Sequence, residues 1–322
     1  MLNLRQVAIL IVILFVIVFL FTILFLGIYF FNFAIKRKKE GESAIEIDES
    51  NERIDRDMAQ AMEWWERAKK QKLEMRSKDR LRLVGTYFPA RSLTKDTVVL
   101  CHGYGGKREA MAEYVHFYHD FFNINVFVPD ARAYGDSQGQ YIGMGWLDRK
   151  DIVDWCKLLI KKFGKDINLV LHGVSMGGAA VSMASGEASL PKNVLCIVSD
   201  CAYASVRGLF AYLIHRLFNM PVFLVETVAS VVCKCKAGYF FREADTAKQV
   251  AKSKTPILFI HGSGDRFVPT HMASELYECA TCKKEIYIVE GAKHALSFKA
   301  DSKEYFRRIG DFMSKCRKKE DL

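Results

Sequence analysis

From Thr97 to Gly291 the chain keeps repeating one pattern: a short apolar run, then a stretch of helical character. The runs are "TVVLCHG" (Thr97–Gly103), "NVFVPD" (Asn125–Asp130), "NLVLHG" (Asn168–Gly173), "VLCIVSD" (Val194–Asp200), "PILFIHG" (Pro256–Gly262) and "EIYIVEG" (Glu285–Gly291). Each is rich in Val, Ile and Leu and is closed by Gly or Asp. Between them lie segments such as "LDRKDIVDWCKLLIKKFG" and "THMASELYECATCKK". A strand that is apolar on both faces must be covered on both. The alternation therefore prescribes an α/β domain with a mostly parallel sheet between two layers of helices. "RLRLVGTYFP", just upstream, alternates apolar and polar residues and suits an antiparallel strand at the leading edge of that sheet. No internal repeat and no low-complexity tract interrupts it.

One interval breaks the rhythm. From about 204 to 253 there is no strand, and "VRGLFAYLIHRLFNMPVFLVETVASVVCKCKAGYFF" is apolar and helical in character, divided at Pro221. Apolar surface of this extent needs something to cover. A helical cap over a pocket is expected.

"HGVSMGGAA" (His172–Ala180) places Ser175 between Gly173 and Gly177, directly after a strand and before a helix. A serine on a sharp strand-to-helix turn projects above the sheet, and the flanking glycines let strand and helix approach closely. A serine hydroxyl is a weak nucleophile at neutral pH. It needs a base within hydrogen-bonding reach and an acid to orient the base. In an open parallel sheet these partners belong past the carboxyl ends of later strands. "FIHGSGDRFVP" supplies Asp265 there, and "YIVEGAKHALS" supplies His294. Asp200 is the second choice of acid. Of the other histidines, His172 lies on the strand and points elsewhere. His102 and His261 close strands in "HG" turns, where a structural hydrogen bond is expected. His116 and His119 lie on a surface helix, His215 in the cap and His271 at a helix start. Asp130 is expected to fix the "PDARAYGDSQG" loop together with Arg132. An oxyanion would need backbone N–H donors already aimed at it. Met176 at the start of the following helix and Tyr104 in "CHGYGG" are the candidates, and the Tyr104 ring also suits the lining of an acyl pocket.

The set "LCHGYGG", "PDARAYGDSQG", "HGVSMGG", "ILFIHGSGDRFVP" and "GAKHALS" resembles the α/β-hydrolase superfamily. Within it, the set looks like the bacterial, often membrane-anchored serine hydrolases related to serine aminopeptidases and feruloyl-esterase-like enzymes. The resemblance covers about residues 73–315. It implies an eight-stranded, mostly parallel sheet, a helical cap after the sixth strand and no cofactor. Tyr104 stands where many lipases have a third glycine, which argues against large triglycerides as substrate.

Ahead of this domain the chain carries no charge from Val7 to Ile35. A helix of about 20 apolar residues already crosses a bilayer. The run is too long for a cleavable signal and ends in "KRKKEGES" without a cleavage site. A retained single-pass anchor is expected within residues 1–39. Residues 40–72 then form a charged linker and an amphipathic helix ("DMAQAMEWWERAKKQKLEM"), and residues 73–322 form the catalytic domain. Lys36–Lys39 outnumber Arg5, which favours the cytoplasm for the large domain. Nine cysteines without framework spacing agree with a reducing compartment. The net charge of +10 suits a membrane surface as well as a solvated face, and no nucleic-acid motif accompanies it. Metal ligation is not expected, because Cys279/Cys282 and Cys233/Cys235 lack a second half.

The sequence thus points to a membrane-anchored serine hydrolase that cleaves carboxylic esters of small or lipophilic acids. Two readings stay open beside it. A peptidase of the same fold would need an acidic cluster to hold a substrate amine, and the cap has only Glu226 from Val206 to Tyr239. A non-catalytic binding scaffold would normally have lost one of Ser175, Asp265 and His294.

Overall fold

The computed structural model describes residues 3–38, 52–218 and 222–317. The charged stretch after Lys38, Pro221 and the last basic residues, Lys318 and Lys319, lie outside the described residues. Eight strands run in chain order: β1 (Gln71–Arg76), β2 (Arg82–Phe88), β3 (Asp96–Cys101), β4 (Asn125–Pro129), β5 (Asn168–Val174), β6 (Val194–Asp200), β7 (Ile257–Gly262) and β8 (Lys284–Val289). They form one sheet in the order β1-β2-β4-β3-β5-β6-β7-β8. Pairs β1/β2 and β2/β4 are antiparallel, and all the others are parallel.

The helices are α1 (Leu4–Ala34), α2 (Glu52–Arg67), α3 (Ala112–Phe121), α4 (Asp148–Phe163), α5 (Met176–Ser185), α6 (Val206–Phe218), α7 (Val222–Ala237), α8 (Thr246–Val250), α9 (His271–Cys279), α10 (Ser297–Ala300) and α11 (Ser302–Arg317). Strand side chains alternate between faces, so each central strand feeds two cores. On β5, Leu169 and Leu171 join Trp155 and Leu159 of α4 on one face. Val170 and Val174 join Val115 of α3 and Phe306 and Ile309 of α11 on the other. Within α4, Ile152, Trp155 and Leu159 fall at helical spacing, and acidic Asp148 and Asp151 stand in the first turn where the helix dipole favours them.

Two readings of the sequence change. The helix taken to run on through Met75 ends at Arg67, and Gln71–Arg76 is an edge strand paired with β2. Its alternating burial comes from that pairing, a non-local contact that helical spacing does not register. Trp64 and Trp65 pack on the domain: Trp65 is buried edge-on against Phe88, and Trp64 stacks on His116. The second change concerns the loop after β4. Asp130 pairs with Arg108, not with Arg132, and accepts from the backbone N–H groups of Arg108 and Asp136 (both 2.9 Å). Arg132 instead donates twice to Asp151 of α4 (2.7 and 2.8 Å) and also reaches Asp79 (2.8 Å).

Among the described residues one helix, α1, is long and apolar enough to cross a membrane; its most apolar 18-residue stretch has mean hydropathy 3.6, and none of that stretch is buried. Its far end is different. Phe30, Phe31 and Ile35 are buried in the same core as α4 and α5, and Lys36 bridges Tyr141.

Removing one member of a buried ion pair strands the other charge, at a cost of about 3–5 kcal/mol. Arg132→Ala should therefore lower the urea midpoint of the purified protein by a corresponding amount. An unchanged midpoint would mean that the Arg132–Asp151 pair holds nothing in place.

Candidate active site

β5 ends at Val174, and the chain turns sharply into α5 at Ser175, which takes φ +56°, ψ −116°. A non-glycine residue in this region is strained. What holds it is close packing of backbone on backbone. A Cβ at Gly173 would overlap the carbonyl of Gly177, and one at Gly177 would overlap the carbonyl of Cys101 at the end of β3. The Ser175 N–H donates to Asp200 O at the end of β6 (2.8 Å), which ties the turn to the neighbouring strand.

Loops at the carboxyl ends of β7 and β8 bring two more side chains to this point. Ser175 Oγ lies 2.8 Å from His294 Nε2, and His294 Nδ1 lies 2.7 Å from Asp265 Oδ2. With Nδ1–H donating to the carboxylate, Nε2 is left to accept from the serine hydroxyl. All three residues are buried. Phe267, two residues after Asp265, packs its ring against His294 with centroids 4.9 Å apart.

Asp265 carries more contacts than the histidine alone. Its Oδ1 accepts from the N–H groups of Phe267 and Val268 (2.8 Å each). His261 Nε2 approaches Oδ2 at 3.2 Å while also facing Val268 O at 2.9 Å. His261, expected to be purely structural, is thus a second imidazole on this carboxylate. Its place on β7, four residues before Asp265, is the only signal the sequence offered. Burial pushes the Asp265 carboxyl up, but hydrogen bonds from His261 and His294 outweigh it and hold the group at about 2.

The other titratable candidates are engaged elsewhere. Asp200 accepts from Tyr305 Oη (2.8 Å), and burial raises its carboxyl to about 6. His172 points away from Ser175, between Tyr118 and Tyr305 (2.9 and 3.0 Å). His102 Nδ1 faces Gly103 O (2.8 Å), and its Nε2 accepts from Ala131 N–H (3.0 Å). Burial lowers the His102 pKa, so a neutral ring keeps both bonds and fastens the "CHGYGG" loop to the end of β4. That loop lies against the serine: a Cβ at Gly103 would sit 3.3 Å from Ser175 Cβ. Met176 opens α5, where the first N–H groups have no partner within the helix.

Cys201 (φ +44°) comes up beside the pair, and its ligand atom and those of Asp265 and His294 lie within 4.8 Å of one another. Burial pushes the Cys201 thiol well up, whereas a metal ligand must be the thiolate. Asp265 and His294 are already spent on each other. The cluster fits hydrogen bonding better than ligation.

Above Ser175 opens a cleft of about 620 Å³, its open mouth included. Leu209, Phe210, Leu213 and Ile214 of α6 form its roof, and Tyr104, Met144, Met176, Tyr203 and Phe267 its floor and sides. Phe30, Phe33 and Ala34 of α1 complete it, which nothing in the sequence foretold. Among the described residues no carboxylate lines it. Glu226 of α7 pairs with Arg207 (3.3 Å) instead.

Because Asp265 is held below the ordinary carboxylate value, the stability it contributes is present above about pH 4 and is lost as pH falls through about 2. The difference in urea midpoint between wild type and Asp265→Asn should accordingly be widest at neutral pH and close in strong acid. A difference independent of pH would show that the charge is not what these hydrogen bonds retain.

Residues 98–308 match the alpha/beta hydrolase family. Over 227 residues the chain is 27% identical to the protein YqkD of Bacillus subtilis, covering 70% of this chain and 74% of that one. It is 25% identical over 248 residues to a membrane protein of Saccharomyces cerevisiae, covering 76% and 79%. Among solved structures it is similar to an esterase of Pyrococcus furiosus, with TM-score 0.62, 22% identity, and 77% of this chain and 93% of that chain covered. It is also similar to a bacterial membrane phospholipase A, with TM-score 0.56, 16% identity, and 81% and 91% covered. These two likenesses concern the fold. With its sheet order, its turn at Ser175 and the matched segment in agreement, this chain belongs to the alpha/beta hydrolase family.

Proposed function

We propose that the protein is a membrane-anchored serine hydrolase acting on carboxylic esters with a lipophilic acyl group. The observation that carries this reading is the hydrogen-bonded chain Ser175–His294–Asp265, whose Ser175 lines an apolar cleft. In the first half-reaction Ser175 Oγ bonds to the ester carbonyl carbon while His294 Nε2 takes its proton. The oxyanion receives hydrogen bonds from the backbone N–H groups of Tyr104 and Met176. The C–O bond to the leaving alcohol breaks, and that alcohol takes the proton back from His294. Water, deprotonated by the same imidazole, then attacks the acyl-enzyme and releases the acid and Ser175. Asp265, kept anionic by its four hydrogen-bond partners, holds the imidazole in the required tautomer and stabilises it when it is charged.

The apolar lining favours an acyl chain over an aminoacyl group, since no carboxylate among the described residues lines the cleft to hold an amine. The esterase and phospholipase among the structural neighbours agree with ester chemistry. Anchoring by α1 is supported by its length and hydropathy and by the burial of Phe31 and Ile35 in the domain core. Cleavage after this helix would strip those residues from the fold, so α1 is read as retained. Lys36 and Lys38 on the domain side favour the cytoplasm for that domain by the positive-inside rule, and nine free thiols suit that compartment.

A fluorophosphonate probe should label the full-length protein and should fail on Ser175→Ala. Ester turnover should fall at least about a thousandfold in Ser175→Ala and His294→Ala. Labelling that persists without Ser175, or none in wild type, would defeat the assignment. p-Nitrophenyl esters of long acids should outrun aminoacyl amides. In intact cells the domain should resist external protease; digestion from outside would reverse the orientation.

A further inference from the structure

The end of the apolar helix does more than tether the domain. Phe30, Phe33 and Ala34 line the same cleft as Ser175 and Met176. This wall is held in register at several points. Ile142 N–H donates to Ile35 O (2.7 Å), and Arg37 N–H donates to Gln140 O (2.8 Å). The Arg37 guanidinium reaches Gly135 O and Ser137 O (2.7 and 2.6 Å). Tyr104, in the loop that lies against Ser175, donates its hydroxyl to Ala34 O (3.1 Å). Farther along, α1 packs on α7 so closely that a Cβ at Gly27 would overlap Val228.

The surroundings of this wall are apolar on the outside too. Phe25, Ile28 and Tyr29 of α1 and Phe223 and Leu224 of α7 are exposed. At 1.5 Å rise per residue, Phe25 stands only about 8 Å along the axis from Phe30. Lys38 bends back over the Phe33 ring, its ammonium 5.3 Å from the centroid. A lysine at a helix end places its charge at the headgroup level. With α1 in a bilayer, as proposed above, the cleft would lie near that level, beside a helix among acyl chains.

We propose that the last turns of α1 form the acyl-binding wall of the site, and that a bilayer ester reaches Ser175 sideways, its acyl chain lying along α1. Phe30, Phe33 and Ala34 then set which chains are accepted. The proposal rests on the reading of Ser175 as the nucleophile and adds the source and path of the substrate.

An alkyl fluorophosphonate with a diazirine in mid-chain tests it on the full-length protein in nanodiscs. Ser175 Oγ displaces fluoride, and light then fixes the chain to whatever it touches. Peptide mapping should find the crosslink on Phe30–Ala34. A free diazirine fatty acid, run in parallel, needs no reaction with Ser175 and should mark the same turn. Attachment confined to the α6 roof or to lipid in both arms would overturn the proposal. Failure of the fluorophosphonate arm alone would fault the nucleophile and leave the wall standing. With p-nitrophenyl esters, Ala34→Phe should lower the ratio of kcat/KM for dodecanoate over butyrate at least tenfold, and Phe33→Ala should raise it. Phe21→Ala, on the outer face of α1, should keep the wild-type ratio. The same ratio in wild type, Ala34→Phe and Phe33→Ala would also refute it.

Discussion

The site depends on a crowded crossing of three backbones. β3, β5 and the start of α5 meet where Gly173 and Gly177 stand, and neither position has room for a side-chain atom. This contact forces Ser175 into a left-handed conformation that costs about 1–3 kcal/mol for a residue with a Cβ. The sheet supplies the compensation. At the strand ends Cys101 pairs with Gly173, Val174 with Asp200, and Asp200 also with Ile260, all in parallel ladders, so relaxing the turn would require breaking the centre of the sheet. The hydroxyl is thereby fixed at the rim with its direction already set.

A second constraint concerns charge. Asp265 is a buried carboxylate, and burial by itself would favour its neutral form. Two backbone N–H groups and two imidazoles reverse that preference. The carboxylate stays ionised and in one orientation, and the His294 ring follows from it. Asp200, on the adjacent strand, has Tyr305 as its donor and is shifted the other way. Asp200 is the more deeply buried of the two and Asp265 has more donors, so burial prevails at Asp200 and hydrogen bonding at Asp265.

The cap and the apolar helix enclose the cleft above Ser175. α6 covers the serine with aliphatic and aromatic side chains, and the end of α1 closes the remaining side. A low-dielectric cleft strengthens hydrogen bonds to a developing oxyanion. In this arrangement the long apolar helix and the cleft over Ser175 share residues, so a shift of α1 would move one wall of the cleft.

Much of this was legible in local patterning. Apolar runs closed by Gly or Asp announced the parallel strands, because a strand buried on both faces has no polar alternation to show. The spacing around Ser175 announced the turn, because only glycine fits a backbone crossing. The positions of Asp265 and His294 after later strands followed from the rule that sites gather at carboxyl ends. What stayed hidden was set by contacts between distant segments. β1 reads as the tail of a helix until β2 pairs with it. Arg132 finds Asp151 and Asp79 while Asp130 finds Arg108, and sequence proximity suggested otherwise. His261 on Asp265, and Phe30, Phe33 and Ala34 beside Ser175, depend on where whole elements pack. The sequence alone determined the fold class and the residues from which a hydroxyl, a base and an acid could be brought together, since steric fit at a turn and strand-end placement are properties of residue type and order. Only the tertiary structure decided which partners orient the acid and what walls the cleft, since those are matters of distance between segments that no local pattern encodes.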